Sequence, residues 1–95
     1  MANNVFVQDR RLVILRVLSE SAGYTASDSN LDDSLDSWGH TVSRDVVIGE
    51  MYWLAEQQLI TLREMGSTQI ATITQRGLDV ASGQAIHPGV KRPRP

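Results

Sequence analysis

The 95-residue sequence predicts one small, mainly α domain that carries a β-hairpin. Apolar residues recur at helical spacing in three segments between Arg10 and Gln58. The period then shortens to that of strands in LITLREM and QIATIT, two runs separated by GST. Helical spacing returns in QRGLDVASG, between a capping threonine and a terminating glycine. A chain of this length has room for one core, which buries roughly 60–70% of the surface that the unfolded chain exposes.

The first helix is expected over about Arg10 to Glu20, with Asp9 as its N-cap and Leu12, Leu15 and Leu18, with Val13 or Ile14 beside them, forming its apolar stripe. SAGYTAS interrupts the pattern with a glycine and small polar residues. A short acidic helix follows in SNLDDSLDSWG. Leu31, Leu35 and Trp38 share its inner face, and Gly39 stops it by accepting a left-handed conformation. Ser43 is placed to cap the third helix, an effect worth about 1 kcal/mol, and Asp45 suits the positive end of its dipole. Val47, Met51, Leu54 and Gln58, widened by Val46 and Trp53, form the expected core stripe. Arg44, Asp45, Ile48, Gly49, Tyr52 and Glu56 form the opposite face. The hairpin must pack on these helices, because two strands alone are marginal. Thr74 caps a last short helix with Leu78 and Ala81 inward and Gly83 at its end. Residues 1–9 are read as an N-terminal segment, 10–83 as the domain, and QAIHPGVKRPRP, which holds all three prolines, as an extended tail over 84–95.

Hydrophobic residues make up 41% of the chain and charged residues 21%, which supports a packed core and argues against intrinsic disorder. The chain has no cysteine, so neither a disulfide framework nor a thiolate zinc site is open to it. MANNVFVQDRR lacks a long apolar stretch, and no run approaches the roughly 20 apolar residues needed to span a bilayer. A cytoplasmic protein is expected.

The net charge is −2, but its placement is more informative. Arg10, Arg11, Arg16, Lys91, Arg92 and Arg94 lie near the chain ends, and only Arg44, Arg63 and Arg76 lie between Val17 and Val90, against ten acids. Affinity for nucleic acid rests on neutralising phosphates, so this acidic middle is a handicap for a DNA binder.

The order of elements, and above all VSRDVVIGEMYWLAEQQLITL followed by TITQRGLDVA, resembles the winged helix-turn-helix superfamily over about Arg10 to Gly83. WLAEQQLITL and TITQRGLDVASG, followed by HPGVKRP, also look like the small winged-helix proteins of Mu-like phages and prophages. The resemblance implies a non-enzymatic DNA-binding transcriptional regulator acting in the bacterial host. Its third helix would enter the major groove with Ser43, Arg44, Ile48 and Tyr52 nearest the DNA. In that setting Arg44 bonds a guanine edge or a phosphate, Tyr52 a phosphate and Ile48 a thymine methyl group. In the wing, Arg63, Thr68 and Gln69 would meet phosphates or the minor groove, and the plain alternative is a hairpin that only closes the core. Arg76 is either a backbone contact or a solvated side chain. Lys91, Arg92 and Arg94 form either a phosphate-seeking arm or a solubilising tail.

Asp45 and Glu56 repel phosphates, and exposed Ile48 and Tyr52 beside Gly49 suit a protein interface equally well. The alternative is therefore a protein-protein adaptor, for example in phage packaging or assembly, with the acidic second helix contributing to its surface. Many winged-helix regulators are dimers, so a homodimer is also open. The spacing of DSNLDDSLD does not fit a calcium loop, and no metal or cofactor is expected. His40, read as a polar turn residue, and His87 stand in no nucleophile motif and there is no glycine-rich phosphate loop, so no enzymatic activity is expected. Trp38 and Trp53 are read as core residues by their helical phase.

Overall fold

The computed structural model describes residues 4–94. Among the described residues, four α-helices and a three-stranded antiparallel sheet pack around one core. Helix α1 spans Asn4–Glu20 and leads through a 3-10 turn, Ala22–Tyr24, into strand β1, Thr25–Ser27. Helices α2, Asp28–Ser37, and α3, Arg44–Glu56, follow. Strands β2, Ile60–Met65, and β3, Thr68–Ile73, form the hairpin, and α4 covers Gln75–Ser82.

Helix α1 is longer than its apolar stripe suggests, and Asp9 lies inside it rather than capping it. Nothing in VFVQ breaks a helix, and the Asp9 carboxylate instead meets His40 and Lys91. Most of the segment read as lying before the domain is thus helical, although residues 1–3 fall outside the described residues. Strand β1 is also new. It pairs with β3 in the register Thr25↔Thr72 to Ser27↔Ile70, and Thr25 Oγ1 donates to the Ala71 carbonyl at 2.8 Å. With β2 on the other side from Ile60↔Ile73 to Met65↔Thr68, β3 is the central strand.

The caps expected from sequence are in place for α3 and α4. Ser43 Oγ accepts from the Val46 amide, Thr74 Oγ1 accepts from the Gly77 amide, and Gly83 ends α4 at φ 89°. Helix α2 starts at Asp28 under a Ser27 cap that accepts from the Asn30 amide. It ends in a Schellman turn. Gly39, at φ 88°, donates to Asp36, and His40 donates to the Leu35 carbonyl. This turn leaves Trp38 at the cap position and 57% exposed, so it is not a core residue; the buried neighbour at this end is His40.

Helix α3 ends the same way, with Gln58 at φ 64° where glycine is usual, and with Gln58 and Leu59 donating to Ala55 and Leu54. Gln58 is therefore outside the helix and exposed, and Val46 is also exposed; Val47, Met51 and Leu54 carry the core stripe as expected. They pack with Leu12, Ile14, Leu15 and Leu18 of α1, Leu31 and Leu35 of α2, and Leu59, Ile60, Ala71 and Ile73 of the sheet.

The segment after Gly83 does not trail away. Ala85 donates to the Asp79 carbonyl, Lys91 donates to Gln8 of α1, and Val90 is buried in the core. Gly89 sits against Trp53 so closely that a Cβ there would run into the indole ring. A stretch without periodicity is thus held by single contacts.

Candidate partner-binding face

Helix α3 is positioned by its inner stripe, so its outward residues follow from the helical repeat. Asp45, Gly49, Tyr52 and Glu56, spaced by four, three and four residues, line its outer edge, and all four are exposed. Ser43 and Arg44 are exposed at its first turn, whereas Ile48 is half-buried at the flank.

Arg44 does not stand free at this end. Its Nε lies 3.5 Å from Asp32 Oδ2, and its Nη1 lies 3.9 Å from Asp28 Oδ1. Asp28 is buried and also accepts from the Gln69 amide at 3.3 Å. The acidic run is therefore divided between two directions. Asp28 and Asp32 turn toward α3 and the sheet, while Asp33 and Asp36 remain exposed. Arg44 and the aspartates share one side of the molecule.

The two N-terminal arginines are used internally as well. Glu50, on the inner flank of α3, accepts from Arg10 Nη2 at 2.7 Å and from Arg11 Nε at 2.8 Å. The Arg11 guanidinium also lies 3.6 Å from the centre of the Trp53 ring and donates to the Gly89 carbonyl at 3.1 Å. His40 Nε2 lies 2.7 Å from Asp9 Oδ2, and Lys91 Nζ lies 3.5 Å from Asp9 Oδ1. His40 is thus a polar residue of the turn before α3, as read, but a buried one that links that turn to α1. Sequence periodicity gave no sign of these partners, which stand far apart along the chain.

Four of the nine cations therefore have carboxylate partners within this chain, Arg10 and Arg11 mostly buried and Arg44 and Lys91 at the surface with side chains 49% and 39% exposed. The remaining five do not gather on α3. Arg16 faces a polar groove between α1 and α4 that also contains Glu20 and Asp79. Arg92 and Arg94 line a second hollow with Ser82 and Gly83 at the end of α4. Arg76 is exposed at the start of α4, and Arg63 is exposed on β2. From Asp28 to Glu56 there are seven acids and one arginine.

Gln69 lies near the tip of the hairpin, in the second pair from the turn, opposite Glu64. It points inward with Ala71 and Ile73 by the strand alternation, is 9% exposed, and donates through Nε2 to Glu64 at 3.0 Å. Its side chain is thus turned to the buried face of the sheet, whereas Thr68 is half-buried. Among the described residues, no group of three His, Cys, Asp or Glu side chains is placed to hold a metal ion, and no helix is long and apolar enough to cross a membrane.

No protein-family model matches the chain. It is 53% identical over 95 residues to the uncharacterized protein gp26 of Escherichia phage Mu, covering 100% of this chain and 98% of that protein. It is also 49% identical over 75 residues to an uncharacterized protein of Haemophilus influenzae, covering 78% of this chain and 72% of that one. At this identity over full length, the chain belongs to the family of small proteins that includes phage Mu gp26.

Proposed function

We propose that this protein is a non-enzymatic winged-helix adaptor of a Mu-like phage or prophage, which uses the acidic outer face of α3 and α2 to hold a basic protein partner. The winged-helix reading is supported by the element order and by a sheet in the order β1-β3-β2, with β2 and β3 as the wing. The observation that carries the adaptor reading is the pairing of Arg44 with Asp32 and Asp28. An arginine that would reach a base or phosphate is partly neutralised by these contacts, Asp45 follows it in the chain, and Asp33 and Asp36 of α2 are also exposed, a charge balance that disfavours a polyanion.

A second reading, a DNA-binding transcriptional regulator, is favoured by the same element order and by exposed Ser43, Arg44 and Tyr52 on α3 and Arg63 on the hairpin. Fluorescence anisotropy separates the two readings. The protein is titrated against duplex DNA from its own genomic neighbourhood and a scrambled duplex across a salt series. The adaptor reading expects weak binding, equal for both duplexes and abolished near physiological salt. A preference for the native duplex that survives such salt would overturn it. In that case Arg44→Ala would weaken specific binding by about 1–3 kcal/mol if the side chain makes a bidentate base contact. Removal of Lys91, Arg92 and Arg94 would reduce the log-log salt slope by roughly 0.9 for each phosphate that is no longer neutralised.

A further inference from the structure

Gly49 stands in the middle of α3, where glycine costs about 1 kcal/mol relative to alanine. Two features usually explain a glycine inside a helix, and neither is present. Its φ is not positive, and a Cβ built on it would meet nothing within 4 Å. Gly77 and Gly89, by contrast, are each required by close contacts within this chain. The open space at Gly49 faces outward, in the centre of the Asp45, Gly49, Tyr52, Glu56 edge.

The spacing of that edge, four, three and four residues, is the pattern along which a second helix packs lengthwise. Glycine at an inner position of such a seam lets another backbone approach closely. Half-exposed Tyr52 one turn away is an aromatic anchor, and Asp45 and Glu56 place a carboxylate at each end, about 16 Å apart along the axis. A second copy would bring like charges together, and a polyanion would meet the same repulsion. A cationic helix matches both ends.

We propose that the outer edge of α3 is a docking seam for a cationic helix of a partner protein, which crosses closest at Gly49 and sets basic side chains against Asp45 and Glu56. The seam rests on the adaptor reading and gives that partner a chemistry and a place.

The test uses the full chain, labelled with 15N and titrated with an alanine-rich helical peptide carrying two arginines eleven residues apart. A peptide with glutamates in place of the arginines and a DNA duplex serve as comparisons. The seam expects amide shifts confined to the outer edge of α3 with the arginine peptide alone. Gly49→Leu, whose Cβ meets nothing within 4 Å in this chain, should weaken that binding at least tenfold, and the pair Asp45→Lys and Glu56→Lys should remove it. Gly49→Ala should raise Tm by about 4–8 °C, because the glycine serves no contact within the fold. Equal binding by Gly49→Leu overturns the seam and leaves the adaptor reading standing. Shifts with the duplex but not with the arginine peptide overturn both. An unchanged or lowered Tm in Gly49→Ala, or no shifts with any ligand, overturns the seam.

Discussion

His87 meets Trp53 edge-on, with ring centroids 5.3 Å apart and planes at 80°. Both ring nitrogens are committed. Nδ1 accepts from the Gly89 amide at 3.0 Å, so the proton sits on Nε2, which donates to Gln57 Oε1 at 3.0 Å. A second proton would remove the only acceptor on the ring and place a cation near Arg76 and Arg11.

The His87 pKa is accordingly held below its usual 6.5, first by burial and then by the Arg76 and Arg11 charges. The neutral form is the one that the fold favours. Its contribution to stability is complete above the unfolded value of 6.5 and disappears as pH falls through the depressed native value. Acidification should therefore loosen the 84–94 segment from α3. In a Trp38→Phe background, Trp53 fluorescence should report a transition below pH 6.5 that is absent in His87→Gln. A transition at or above 6.5 would contradict a depressed His87 pKa.

Glu50 is 6% exposed and carries two guanidinium groups. Its removal leaves Arg10 and Arg11 mostly buried and close together without a counter-charge. Glu50→Gln should cost about 3 kcal/mol, as expected for breaking a buried ion pair, and should lower the urea midpoint at an unchanged m value. Glu56→Gln, on the exposed edge of the same helix, should stay within about 0.5 kcal/mol of the parent. Equal effects would mean that Glu50 holds no special place in the fold.

The C-terminal segment makes a third prediction, because it is docked rather than free. Val90→Ala should cost about 1–2 kcal/mol through reduced burial. A chain ending at Gly83 should be destabilised further, since the Gly89 carbonyl that receives Arg11 and the Lys91 pairing with Asp9 go as well. Urea unfolding of the two variants measures both. A free tail would leave the midpoint unmoved.

Local chemistry made much of this fold legible in the sequence. Ser43, Thr74 and Gly83 mark helix ends by groups that act within one turn, and the glycine at 66 marks the hairpin. The outward placement of Asp45, Gly49, Tyr52 and Glu56 follows from the period of α3. What escaped depends on distant partners. Strand β1 has three residues, too few for a period, and exists through its pairing with β3. Asp9 has the chemistry of a cap but lies within a helix whose start is not marked by it. Trp38 has the right phase for the core, yet the helix closes beneath it. The inward turn of Gln69 was readable from its alternation with Ala71 and Ile73. Its pairing with Glu64 was not, and neither were the carboxylate partners of Arg10, Arg11 and Arg44.

Gly77 gives the sharpest contrast with Gly49. It lies in the first turn of α4, where its amide donates to the Thr74 cap, and a Cβ there would collide with the Leu59 carbonyl and the Ile73 side chain. The Leu59 carbonyl is itself fixed, since it accepts from both the Thr74 amide and the Thr74 hydroxyl. Backbone on both sides of the contact leaves no flexible end to move aside. Gly77→Ala should therefore cost at least about 3 kcal/mol, at the upper end of overpacking, and should move α4 away from the β2 entry. Thermal unfolding should place Gly77→Ala well below the parent and Gly49→Ala above it, although the two changes add the same methyl group to two helices of one small domain. A parent-like Tm for Gly77→Ala would mean that α4 does not lie directly against the Leu59 carbonyl.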